Sequence, residues 1–143
     1  MTVHLVKLSV GSESVDDLAA WVEKKSKANK KLGMGLVHDH VTRMFPKREA
    51  ELLDGGSIYW VIKGVILVRQ RLLGFERRTG TDGIERCAVI IDPPLIATEP
   101  QPRRAFQGWR YLPAEDAPKD LAKRTRRGPP PELSIELAEL GLL

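Results

Sequence analysis

The sequence predicts an α+β domain: a small, mostly antiparallel, partly closed β-barrel with two or three flanking helices. Three observations lead there. At 143 residues the chain holds one core and is too short for two ordinary domains. Short apolar runs with strand alternation are interleaved with stretches whose apolar residues recur at helical spacing. The most apolar segment, Ile58 to Val68, lies mid-chain and is split by a Lys-Gly pair into two consecutive strands.

Val3 to Val10 alternates well enough for an opening strand and stops at Gly11-Ser12. Ser14 then starts a helix, because its hydroxyl can accept from the backbone N–H three residues on and Asp17 occupies the reciprocal capping-box position. Val15, Leu18, Ala19 and Val22 give that helix one apolar face, and Gly33 and Gly35 end it. Val37 to Phe45, closed by Pro46, reads as a second strand. Lys47 to Asp54 has strong helix formers and fits two turns stopping at Gly55-Gly56.

Within Ile58 to Val68, eight β-branched or aromatic residues fill eleven positions with Gly64 among them, which argues against one long helix. Lys63-Gly64 is the hairpin turn, since glycine accepts positive φ. Thr79 to Gly83 forms the next turn and Ile84 to Ile91 the fifth strand, completing an antiparallel meander. Pro93, Pro94, Pro100 and Pro102 then forbid a long regular element, so the chain is expected to cross the surface. Residues 103–112 mix Phe106, Trp109, Tyr111 and Leu112 with three arginines and should lay their rings on the sheet. The organisation expected is a domain over 1–112, a basic proline-rich linker over 113–130 and a C-terminal helix over 131–143 with Leu133, Leu137 and Leu140 on one stripe.

Composition narrows the partners. Lys and Arg number 23 against 19 Asp and Glu, giving +4, a mild excess that suits an anionic partner without reaching that of a duplex-coating protein. Cys87 is the single cysteine, so an intrachain disulfide and a cysteine zinc cluster are excluded and a reducing compartment fits. Its apolar strand setting marks it as an inert buried thiol. No apolar run approaches the ~18 residues of a membrane helix, so the expectation is a cytoplasmic protein without a membrane partner. The glycine pairs at 33–35 and 80–83 lack the context of phosphate loops, and no nucleophile elbow or metalloprotease helix occurs. No cofactor and no catalytic residue is therefore expected.

Arg69 and Arg71 fall on one face of a strand about 7 Å apart, a spacing at which guanidinium forks contact adjacent phosphates. With Arg103, Arg104 and Arg110 folded beside them and Trp109 as a stacking surface, they make the expected nucleic-acid face. Lys24, Lys25, Lys27, Lys30 and Lys31 form a secondary basic patch, and Lys119, Lys123, Arg124, Arg126 and Arg127 a second cluster. Their plainer role is as solvated charge. His38 and His40 would point the same way from a strand and are weak candidates for a metal, lacking a third ligand fixed by the sequence. Trp21, Trp60 and Trp109 could line a base-binding cage, although Trp60 belongs in the core.

The stretches HVTRMFPKREAELLDGGSIYWVIKGVILVRQRLLGFE, RRAFQGWRYLP and the terminal AELGLL resemble an uncharacterised bacterial family of short proteins, a domain of unknown function. That resemblance covers most of the chain and implies no activity. The order Arg43, short helix, Gly55-Gly56, apolar strand, then Arg69 and Arg71 is similar to PUA-like RNA-associated barrels. It departs from them at Gly56-Ser57, where an acidic residue commonly follows the glycine, and in its long Lys-rich first helix. Together these readings point to an accessory, non-catalytic domain binding RNA or another single-stranded nucleic acid. The alternatives are a protein-interaction module or homodimer docking through the leucine stripe or the sheet face, and a metal-dependent hydrolase using His38 and His40.

Overall fold

The computed structural model describes residues 2–104, 106 and 108–121. The expected C-terminal helix with its leucine stripe, and Lys123 to Arg127, lie outside them. Seven strands and two helices follow in order: β1 (Val3–Leu8), α1 (Val15–Lys31), β2 (His38–Thr42), α2 (Glu49–Leu52), β3 (Ser57–Ile62), β4 (Val65–Thr79), β5 (Glu85–Ile91), β6 (Ile96–Pro102) and β7 (Trp109–Pro113). A 3-10 turn at Ala114–Asp116 comes last.

Local chemistry sets the punctuation. The Ser14 hydroxyl accepts from the Asp17 N–H at 3.1 Å while the Asp17 carboxylate accepts from the Glu13 N–H at 3.1 Å, so α1 starts where the capping pattern placed it. Lys63 (φ 51°) and Gly64 (φ 80°) both adopt left-handed backbone, the geometry of a tight two-residue hairpin between β3 and β4. The second helix is one turn rather than two.

The sheet order is β2-β5-β4-β3-β1-β7, with β6 also paired to β4. Only β1 and β3 run parallel, with Leu5 opposite Ile58 and Leu8 opposite Val61; the remaining ladders are antiparallel. The meander β3-β4-β5 forms as expected, and β4 runs past Arg69 and Arg71 to Thr79, where the expected turn begins. It pairs Leu72 to Thr79 with β5 and Val65 to Arg69 with β6, and β3 takes its other edge. The architecture is a mixed α+β fold whose sheet is not closed, and the expected partly closed barrel is not confirmed.

The proline-rich stretch corrects a second expectation. Residues 96–102 are a strand despite Pro100 and Pro102. Their ladder skips between Ile66 opposite Gln101 and Val68 opposite Ala97, and Pro100 falls in that irregularity, where no N–H is called on. Residues 103–112 do not simply rest on the sheet: Trp109 to Pro113 join it as β7 beside β1. Beyond β7 the chain stays on the sheet to Leu121, with Glu99 N–H bonding Lys119 C=O at 2.8 Å and Leu121 N–H bonding Ala97 C=O at 3.0 Å.

The sheet has an apolar layer on each face. On one, Val15, Leu18 and Val22 of α1 and Leu52 of α2 pack on Val3, Leu5, Ile58, Trp60, Ile62 and Ile91. On the other, Val6, Tyr59, Val61, Ile66 and Leu112 are covered by Leu8, Phe106 and Ala117. Every residue of β3 is buried, which is why its sequence lacks the alternation of a half-exposed strand. Each fully buried Leu or Ile contributes roughly 1.5–3 kcal/mol. Among the described residues, no helix is long and apolar enough to cross a membrane.

Candidate functional site

The expected arginine face does not assemble around Trp109. The Arg69 side chain is largely covered and donates two hydrogen bonds of 2.8 Å to Asp120 and a third, also 2.8 Å, to the Ser57 hydroxyl. Arg71 projects from the same face of β4 and is exposed. The Arg103 and Arg110 guanidinium carbons lie 5.7 and 5.4 Å from the Phe106 ring centre, and Arg104 is exposed. Trp109 precedes Arg110 on β7 and therefore points to the opposite face, where it meets Tyr111 edge-on at 5.0 Å and donates to the Met44 carbonyl at 3.4 Å. Phe106, not Trp109, is the ring the arginines share.

A cleft of about 710 Å³ opens elsewhere, on the α1 side of the sheet. Its walls come from the end of β1, the loop at Gly11 and Ser12, the first turns of α1, and β2 and β3. Strand alternation explains its lining. Val3 and Leu5 enter the core beneath α1, and Lys7, next on that face, reaches the cleft instead. On β2, His38 and His40 face the cleft together, as their spacing requires. Trp21 and Lys24, one turn apart on α1, form the rim; Trp21 is 52% exposed.

Three features give the cleft its chemistry. First, among the described residues neither Lys7 nor Lys24 forms an ion pair, and burial lowers the Lys7 ammonium below its ordinary pKa. Second, burial and the positive charge of Lys7 push His40 down to about 4, so it is neutral at pH 7 and packs edge-on against Trp60 at 5.6 Å. Third, His38 is 1% exposed and its Nδ1 finds no hydrogen-bond partner among the described residues. Burial also lowers its pKa, although the Gln70 amide and Asp39 work the other way. That same Gln70 accepts from the Trp60 indole N–H at 2.8 Å and fixes the ring.

Behind the cleft, Asp39 is buried on the reverse side of β2. Burial works to raise its carboxyl, but hydrogen bonds from Asn29 (2.8 Å) and Arg78, with the charges of Lys25 and Arg78, outweigh it and hold the group below the usual range. The secondary lysine patch is thereby divided. Lys25 lies 3.6 Å from Asp39 and Lys27 lies 2.9 Å from Glu23, while Lys24 faces the cleft and Lys30 and Lys31 are exposed at the far end of the helix.

Among the described residues, no group of three or more His, Cys, Asp or Glu side chains could hold a metal. The positive surroundings that depress His40 also repel a cation and attract an anion. Cys87 is fully buried and its thiol is raised by burial, in keeping with an inert core residue. Sequence reasoning passed over Lys7, whose signal was a lysine on the inner face of an otherwise apolar strand.

The family model of DUF1489, described as a protein of unknown function, matches residues 5–143. No curated protein and no solved structure matches the chain, and the PUA-like resemblance is not shown.

Proposed function

The chain belongs to the DUF1489 family, and from that premise we propose that it is an accessory, non-catalytic module that binds single-stranded nucleic acid, RNA in the first place, through the Trp21 cleft. The observation that carries this is the meeting, in one cleft, of an exposed indole with two ammonium groups that form no ion pair among the described residues. A base stacks on an aromatic face for roughly 1–3 kcal/mol, and cations beside it neutralise phosphate. Exposed Arg71 and Arg104, and the Arg103–Phe106–Arg110 stack, are peripheral contacts in this reading, adding affinity that falls with salt.

Fluorescence anisotropy with short single-stranded RNA at about 50 mM salt, where phosphate contacts are strong, tests the proposal. The expected result is binding that weakens as salt rises, is reduced by Trp21→Ala and Lys24→Glu, and is changed less by Arg110→Glu. Absence of binding at that salt removes the reading. Binding lost in Arg110→Glu but kept in Trp21→Ala moves the site to the other face.

A further inference from the structure

The cleft has a closed inner wall and an open rim. Leu18, His38 and Trp60 form its inner wall and are at most 3% exposed, whereas Trp21 stands open at the rim. A strand running past would need cations spaced along its path, yet Lys25 and Lys27 of α1 are engaged by Asp39 and Glu23. Within the cleft, the cations without an ion pair among the described residues are Lys7 and Lys24. An internucleotide phosphodiester brings a single negative charge, whereas a phosphomonoester brings about −1.5 to −2 at neutral pH. The loop at Gly11 and Ser12 leads into the N-terminal end of α1, whose dipole favours an anion, while the carboxylate of Asp17, which also lines the cleft and accepts from the Glu13 N–H, works against one. Deeper in, the buried His38 ring closes the inner wall, its Nδ1 without a hydrogen-bond partner among the described residues.

We infer that the cleft takes a nucleoside phosphomonoester, its base against Trp21 and its phosphate held by Lys7 and Lys24. The inference rests on the nucleic-acid reading and narrows it from a passing strand to a phosphorylated end. The same chemistry is presented by the terminus of an RNA and by a free mononucleotide.

Calorimetric titration of the full-length protein with one short RNA in four forms separates these cases: 5′-phosphorylated, 3′-phosphorylated, hydroxyl-ended and circular. One phosphorylated form should bind about tenfold or more tighter than the hydroxyl-ended and circular forms, the equivalent of about 1.4 kcal/mol. Lys7→Gln should erase that preference; Lys24→Gln, at an exposed position, does the same without involving the core, and thermal melts verify that both variants are folded. Trp21→Ala should weaken all forms alike. Adenosine monophosphate and adenosine serve as the small-molecule arm, and the monophosphate alone should compete. Equal affinity for all four RNA forms overturns the phosphomonoester and leaves RNA binding standing. Monophosphate binding with no RNA bound overturns the RNA reading and leaves a free nucleotide as the ligand. No binding of any probe overturns both.

Discussion

The Arg69 guanidinium clasps the Asp120 carboxylate through two hydrogen bonds of 2.8 Å, joining β4 to the segment that follows β7. Arg69 is thus a structural tie. Its Asp120 partner is 42% exposed, which limits the value of the pair. Replacing Arg69 by Met should lower stability by about 1–2 kcal/mol, read as a shift in urea midpoint at constant slope. RNA affinity should stay within about twofold of the parent, or about 0.4 kcal/mol. Unchanged stability with lost RNA binding would return Arg69 to the contact surface.

The Tyr111 hydroxyl accepts from the backbone N–H groups of Lys47 (2.8 Å) and Arg48 (3.2 Å), serving the entrance of α2, where Arg48 at the cap position makes no side-chain cap bond. Tyr111→Phe keeps the ring against Trp109 and removes only the acceptor. A loss of about 1 kcal/mol is expected from chemical denaturation. An unaltered midpoint would show that water serves these donors equally well.

Gly56 is required for space. A Cβ there would lie 2.5 Å from the Val3 carbonyl oxygen and closer still to that of Leu52, both backbone atoms that cannot rotate away. Gly56→Ala should cost about 3 kcal/mol or prevent folding, whereas Gly55→Ala meets no atom and pays only for its positive φ of 79°, about 1 kcal/mol. Melting temperatures of the two variants should fall in that order.

Acid should weaken the fold through His40. Its folded pKa of about 4 lies below the ordinary 6.5, so the unfolded chain binds the proton first and stability is lost as pH falls through that interval. The shift corresponds to at most about 3 kcal/mol, and residual exposure of the ring makes the real figure smaller. Lys7, His38 and Lys25 oppose protonation of His40 while Asp39 favours it, and burial lowers His38 and His4 in the same direction. Denaturation at pH 7, 6 and 5 should show the decline, and His40→Gln should flatten it. An equal slope in that variant would assign the effect to the other histidines.

Local signals in the sequence were decisive where one residue's chemistry settles the geometry. Ser14 with Asp17 located the start of α1, and Lys63-Gly64 located the turn of the central hairpin. The strand setting of Arg69 and Arg71 was readable from alternation, and buried Gln70 and Leu72 keep that alternation in the structure. The β6 strand was hidden by prolines whose tolerance depends on a slipped register with a distant partner. Closure of the sheet likewise depends on ladder geometry that local patterns do not encode. At the site, pleating alone separates Trp109 from Arg110; counting the arginines and rings together obscured that parity. The shared direction of His38 and His40 was readable from spacing, but their union with Lys7 and Trp21 needs α1 laid beside β1, which is a tertiary fact.

The 15-residue strand β4 takes part in the ladders to β3, β5 and β6. One continuous backbone therefore serves as the spine of the molecule, its first half holding β3 and β6 and its second half holding β5. Amide protons of the β2-β5 wing can therefore exchange through an opening at Leu72–Thr79 that leaves β3, β1 and β7 paired, and slower exchange in that second group is the mark of such a division.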